Sequence, residues 1–530
     1  MKKKHIALAS VLLIAVAAIC YFAFGGSSSA YERIIPANSD FVMCVNMTEF
    51  AEKSGLSGET MKKKVDALLA LAPEELSKEF GKYFENPEEL GVRFDKPMYI
   101  WMTSEDKAIG VSVAIHDAGK LQAALRQFSE KAGVALGFEE EFGLTWIKSA
   151  IVGRQAAIGF NDDFLVARIG KNDRDIVRKW MEQPSDEQYF QTDRAKRLTK
   201  TAGQWKMDAQ MSAAALERMG MQREGEQLRD EVGDCEYGSV WGLNAGDGFM
   251  EYNVEVYTND ESVNKLMEDM AGCGKIKGTY NELTPQDYLF WLGMNMNAKE
   301  AFEAFRQTPF YKALEKFQKD NNLDLEKLLS GVNGDLALYV STMEDMRSEP
   351  EVTVRAEVTD TQFIDNLVAE MTRVNPELCK IVRKTSGSNY SVMTCRSKFN
   401  MESMSYDSEY VEGGIAFGQN DGTAYFTTKK DNLGTSVKST ALKDYTDEMA
   451  SCALFGVVNM QEIVSLLDDD CARHPHDRTL LMTKNLLNQI RDIKLTMREG
   501  GKFNVRCNFK DEETKVIDLI VTFGVGSFLL

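Results

Sequence analysis

Histidine is scarce in this chain, with four in 530 residues, and one of them, His5, lies at the edge of an N-terminal apolar run. Base catalysis by imidazole is thereby confined to His116, His474 and His476. The signatures of nucleotide and acyl-transfer chemistry are missing too: there is no GxSxG elbow, no phosphate-cradling P-loop and no dinucleotide GxGxxG. Lysine and arginine form no stripe, and 81 acidic against 62 basic residues give a net charge of −19. Phosphate backbones repel such a surface, which argues against a nucleic-acid partner. No low-complexity tract breaks the sequence, and this excludes extensive disorder. Nine cysteines are scattered too widely for a disulfide-stapled domain, although Cys379 and Cys395 flank a turn and are the pair to test for a bridge. Cys44, Cys452 and Cys507 sit in apolar strand-like runs and read as small buried hydrophobes.

What is present begins with an address. Lys2, Lys3 and Lys4 precede an uncharged apolar run from Ile6 to Phe24, long enough to span a bilayer as a helix. The lysines stay on the cytoplasmic side, so residues 1–30 read as a signal-anchor at the inner membrane and the body as exported to the periplasm. A cleaved signal ending at Ser28-Ser29-Ala30 and a lipid anchor at Cys20 are the alternatives. Membrane contact through residues 6–24 is the first partner implied.

The remaining 500 residues are globular in composition, 44% hydrophobic and 27% charged over the whole chain. Their organising junction is Val45-Asn46-Met47-Thr48-Glu49-Phe50, an apolar strand followed by an expected helix start. Asn followed three residues later by Glu is the spacing of a capping box, in which Asn accepts from the third helical N–H and Glu reaches back to the cap's own N–H. The junction recurs at Asn297 with Glu300, at Asn459 with Glu462 and, more weakly, at Asp208. Asn46 and Asn297, Asp208 and Asn459, and Asn253 and Asn504 are each 251 residues apart, with the offset drifting in loops between. The expectation is an α+β protein, internally duplicated, with antiparallel sheets carrying helices on one face. A larger unit, 31–195, and a smaller one, 196–284, are followed by their repeats at 285–440 and 441–530.

Ile35-Pro36-Ala37, Phe41-Val42, Val45-Asn46-Met47, Phe50 and Lys53-Ser54-Gly55-Leu56 together resemble the opening of the Bacteroidetes envelope proteins grouped as domain of unknown function family 4836. The resemblance implies an exported, often lipid-anchored envelope protein and assigns no activity or site. This chain departs from the pattern at Ile19, where a lipobox has a small residue.

No catalytic, cofactor or metal residue is assigned from the sequence. Asp468-Asp469-Asp470-Cys471-Ala472-Arg473-His474-Pro475-His476-Asp477 gathers metal-ligating residue types but has neither CxxC nor HExxH spacing, and it reads as a polar loop. Ser104 and Lys107 have S-x-x-K spacing inside a hairpin turn, without a K-T-G partner. Asn161-Asp162-Asp163 and Asn420-Asp421-Gly422 imitate calcium loops but fall between strands, as hairpin turns do. Met211, Met219, Met221, Met267, Met270, Met401 and Met404 lie in or near helices and loops, where thioethers suit adaptable apolar grooves or plain core filling. The expected function is therefore a membrane-tethered, non-enzymatic binding or scaffold protein with an envelope protein or lipid as partner. The alternatives are an envelope hydrolase with its site between the halves, or a lipid-binding module.

Overall fold

The computed structural model describes residues 30–512, except 47–48, 50–52, 54–86, 94, 104–107, 133–134, 150–154, 219, 234, 270–272, 342–349, 401–404, 429–437 and 499–500. The apolar run 6–24 therefore lies outside the described residues, among which no helix is long and apolar enough to cross a membrane. The described residues fall into two compact units, one reaching Arg229 and taking in residues up to Val256, the other running from Tyr257 to Asp511 with the short stretch Asp230–Gly233.

The first unit is built on β1 (Phe41–Val45), whose β-branched and aromatic residues favour extended backbone. β1 is hydrogen-bonded on both edges, to β2 (Met98–Thr103) and to β8 (Trp205–Met211), both antiparallel. β2 continues to β3 (Ala108–Ala114), while β4 (Gly137–Glu141), β5 (Leu144–Lys148), β6 (Ala156–Phe160) and β7 (Phe164–Ile169) form a meander that joins through β3–β7 pairing. On the other side β9 (Tyr237–Gly246) pairs with β8, and β10 (Phe249–Thr258) with β9. The order is β10-β9-β8-β1-β2-β3-β7-β6-β5-β4. The larger and smaller sheets expected from the sequence are thus one sheet, because β8 adds directly to the free edge of β1.

In the second unit, β11 (Cys273–Gly274) touches the end of β12 (Tyr288–Asn297). β12 is also paired on both edges, with β13 (Val332–Ser341) and with β19 (Leu454–Asn459). β14 (Glu351–Val358), β15 (Val382–Ser386), β16 (Asn389–Asn400), β17 (Ser405–Asn420) and β18 (Thr423–Thr427) follow β13, and β20 (Ile490–Arg498) and β21 (Lys502–Phe509) follow β19. The order is β21-β20-β19-β12-β13-β14-β18-β17-β16-β15, the sequence of connections found in the first unit. A mixed α+β architecture with antiparallel sheet is what the residues form.

Both sheet faces are covered, which corrects the expectation of helices on one face only. In the first unit Leu121, Leu125 and Phe128 of the helix Ala118–Ala132 pack onto Val111, Val113, Phe160 and Leu165. On the opposite face the Trp101 ring meets Trp180 of the helix Arg174–Glu182 edge-on at 5.2 Å, and Tyr99 meets Phe190 at 5.2 Å. In the second unit Phe363 and Ile364 cover Ala356 and Ala424, while Trp291, Tyr339 and Phe455 pack with Leu442 and Met449 behind them. The physical reason is the alternation along each strand: aromatic side chains project from both faces, and each, once buried, stabilises by roughly 1.5–3 kcal/mol.

The repeated junction has three different outcomes. Asn46 Oδ1 accepts from the Glu49 N–H at 3.2 Å, but Glu49 meets the Asn46 side-chain amide at 3.0 Å and leaves the cap's N–H to Gln204 O at 2.7 Å. Asn297 caps through the Glu300 N–H at 3.4 Å, whereas Asn459 precedes its helix without a side-chain cap bond. Asp208 starts no helix. It is fully buried in the middle of β8, taking hydrogen bonds from Tyr189 Oη at 2.8 Å and Arg194 Nε at 2.9 Å, and the helix waits for Ser212 to cap Ala215. The register also moves it away from Asn459, since Asp208 faces Val42 of β1 while Phe455 faces Gly293 of β12. Removing the carboxylate strands the largely buried guanidinium of Arg194, so Asp208→Ala is expected to destabilise by about 3 kcal/mol. Urea titration of the two proteins measures this.

Candidate functional site

The helix after β14, Phe363–Val374, reads FIDNLVAEMTRV, with Phe363, Ile364, Leu367, Val368 and Met371 on one face at helical spacing. Its start is fixed by polar contacts. Asp360 Oδ1 accepts the Gln362 N–H at 2.8 Å, and Gln419 Oε1 accepts the Ile364 N–H at 3.3 Å while its amide donates to Asp360 O at 2.6 Å. In the first turn Asp365 accepts from Lys384 Nζ at 2.9 Å, from Ser388 Oγ at 2.8 Å and from the Tyr390 hydroxyl. These bonds, that from Tyr390 first, hold its carboxyl down at about 2. Tyr390 in turn stacks on Phe417 of β17, with centroids 5.5 Å apart.

Pinned at that end, the helix buries only Phe363 and Ile364, and Met371 is 43% exposed. Between its apolar face and the sheet runs a groove of about 480 Å³, walled by Leu367, Val368 and Met371 on one side and by Val354, Val392 and Phe426 on the other. Leu378, Ile381 and Val382 continue the wall, Thr372 adds a polar side chain, and the hydroxyl of Tyr425, another lining residue, donates to Asn389 Oδ1 at 2.7 Å. The groove is widened where β14 and β18 set Ala356 opposite Ala424, so part of the floor under the helix is two methyl groups. In the first unit the helix Ala118–Ala132 occupies the same place in the chain order, but β3 and β7 set Val111 opposite Ala167 at that level and Val113 opposite Leu165 beside it, and Leu121 is fully buried. One helix sits on a filled core and the other on an open one. The size falls within the roughly 300–1,000 Å³ of small-molecule sites.

The residues singled out in the sequence lie elsewhere. Asp468 to Arg473 form the end of the helix Met460–Arg473, which corrects the expected loop. Cys471 faces the core, while Asp468 pairs with Lys484, Asp470 with Arg473 at 3.1 Å, and Asp477 caps Leu480. Helical geometry therefore spreads these ligand types apart, and no group of three metal-ligating side chains gathers among the described residues. The backbone N–H of His116 donates to Gly91 O at 2.9 Å at the end of β3. Ser104 and Lys107 lie outside the described residues. Asn161 closes the β6–β7 turn by accepting from the N–H groups of Asp163 and Phe164, both at 2.9 Å. Asp421 and Gly422, at φ of +46° and +77°, make the two-residue turn between β17 and β18.

Cys379 is an exposed free thiol, so it forms no bridge with Cys395. Cys452 and Cys507 are buried, and burial pushes the half-buried Cys44 thiol up to about 12. Of the methionines named from the sequence, Met211 and Met221 are exposed, Met267 packs near Gly501, and Met219, Met270, Met401 and Met404 lie outside the described residues. The methionine that lines the groove is Met371. Periodicity marked its helix, but the alanine floor depends on strand register and left no sequence signal.

The chain is thus an α+β protein of two ten-strand arrangements with an apolar groove in one of them. The chain is a member of the family described as Domain of unknown function (DUF4836), whose profile matches residues 31–466. No curated protein matches it. Among solved structures it has a distant likeness to crystal form I of TP0453, at 8% identity and a TM-score of 0.25 over 47% of this chain and 88% of that one. Crystal form III of TP0453 gives 11% identity and a TM-score of 0.27 over 47% and 89%.

The Asp365 contacts predict a pH dependence. A carboxyl held at about 2 against an ordinary 3.8 contributes stability that is complete above 3.8 and lost as the pH falls to about 2. The stability difference between the wild type and Asp365→Asn should therefore be constant from neutral pH to about pH 4, then shrink toward pH 2 in urea titrations.

Proposed function

We propose that this chain is a membrane-tethered, periplasm-facing envelope protein that binds an apolar ligand without transforming it, and that the ligand occupies the groove beneath Phe363–Val374. The groove carries this reading: a lining almost wholly of hydrocarbon and aromatic groups has a poor hydration shell, and an apolar molecule gains by replacing that water. The apolar run 6–24 behind three lysines supports the tether and the periplasmic side, and the inner membrane is where such an anchor resides. We also read the two units as products of one duplication. The identical order of strand connections supports this, as do the 251-residue spacings of Asn46 to Asn297 and Asn253 to Asn504. On that reading the first copy kept a closed core under its helix and the second gained a site by opening it. Function is carried by the difference between the copies.

Binding is tested with a neutral naphthylamine dye whose fluorescence rises in apolar surroundings. The wild type should bind it saturably, and Val368→Trp, which places an indole in the groove from the half-buried helix face, should reduce the affinity at least about tenfold while leaving the circular dichroism spectrum unchanged. Equal binding by both proteins would rule out the groove as the site.

A further inference from the structure

The first unit holds a cavity of its own, of about 420 Å³, between the helix Arg174–Glu182 and the chain that leads into β1. Its wall is built before any ligand arrives. Residues 33–38 are tied to 183–189 by backbone and amide bonds: the Gln183 amide donates to Arg33 O at 2.6 Å, the Ala37 N–H to Glu187 O at 2.7 Å and the Tyr189 N–H to Ile35 O at 2.8 Å. On the helix side, Trp180 is fixed by its edge-on contact with Trp101. A cavity held in shape in this way loses little ordering entropy on binding.

Thr103, the last residue of β2, lines the cavity and is 3% exposed, and its hydroxyl has no hydrogen-bond partner among the described residues. The second unit does not repeat this. Ser341 ends β13 two residues after the buried Tyr339, as Thr103 ends β2 two residues after the buried Trp101, but the Ser341 hydroxyl donates to Glu351 O at 3.4 Å. A buried hydroxyl without a partner is costly, and that of Thr103 is free both to donate and to accept.

The rest of the lining is mixed. Lys179, Asp186 and Glu187 are exposed and bring both signs of charge, while Ile176, Pro36 and Trp180 are apolar. A cation placed here meets an ammonium, and an anion meets two carboxylates. A neutral hydroxyl suits all of them, because it donates to a carboxylate and accepts from an ammonium. A pyranose ring carries several such hydroxyls on its edge and bare C–H groups on its faces, the two kinds of surface that this lining matches. At about 30 Å³ each, about fourteen waters would fill the space, which leaves room for one sugar ring with solvent beside it.

From these contacts we infer that the cavity is a saccharide site, taking a neutral sugar with one hydroxyl on Thr103 and others on Asp186 and Lys179. The site lies in the first unit and does not depend on the apolar groove of the second.

Saturation-transfer difference NMR on the full chain tests this with glucose, galactose, mannose and N-acetylglucosamine, and with the charged glucuronate and glucosamine. At least one neutral sugar is expected to take up saturation on its ring C–H protons and to bind more tightly than both charged ones. Thr103→Val should weaken the binding of that sugar about fivefold, the scale of one hydrogen bond, and leave the urea midpoint unchanged or raised, because the hydroxyl it removes has no protein partner among the described residues. Asp186→Asn, at an exposed position, should weaken it by a similar factor and decides the case if Thr103→Val fails to fold. Weaker binding by either variant supports the site. Absence of transfer to every sugar, or an affinity that both variants leave unchanged, overturns it. Tighter binding of glucuronate or glucosamine overturns the assignment of a neutral ligand.

Discussion

The register that sets Ala356 opposite Ala424 is the constraint on which the site of the second unit depends. A helix can lie on a sheet only where the side chains between them fill the space, because interiors are close-packed and a void forfeits dispersion contacts. Two alanines at the same level leave room beside the helix, and Leu367 and Val368, packed against the same core, wall the groove that results. The first unit shows the alternative solution, with Val111 opposite Ala167 at that level, Val113 opposite Leu165 beside them and a fully buried Leu121 above. Helix and strand connections of the same kind therefore give either a closed core or a groove, according to the volume of the residues on the facing strands.

An open groove under a helix would collapse if the helix were free to settle. Asp365 opposes this: its bonds to Lys384, Ser388 and Tyr390 tie the first turn to β15, β16 and the turn between them, and Gln419 ties the preceding backbone to β17. At the other end Arg373 donates to Asn322 O at 2.6 Å. The helix is thus held at its polar ends, while its apolar face packs on the core and walls the groove. Charge-assisted bonds suit that task, since they resist the displacement that apolar contacts would permit.

Much of the scaffold was legible in the sequence. The strand at Phe41, the paired capping residues Asn46 and Asn297 and the hairpin turn at Asp421-Gly422 follow from strand propensity, capping and turn chemistry that act locally. Failures came where a tertiary contact overrode the local signal. Asp208 looked like a cap because a carboxylate ended an apolar run, but Arg194 and Tyr189 gave it a buried role in mid-strand. The acidic stretch near His474 read as a loop because of its charge, yet leucines at 466 and 467 and Cys471 turn one face of it inward as a helix. The groove was not legible at all, for Ala356 and Ala424 are unremarkable residues 68 positions apart whose meaning comes from pairing.

The central claim is that the groove beneath the helix Phe363–Val374 takes up an apolar ligand. Amide hydrogen exchange measured with and without a saturating neutral naphthylamine dye tests this most directly, because filling the groove must steady the segments that wall it. The account predicts slower exchange in residues 363–374 and 424–426, with β1 to β3 of the first unit unchanged. Unaltered exchange at 363–374 in the presence of bound dye, or protection confined to the first unit, would contradict it.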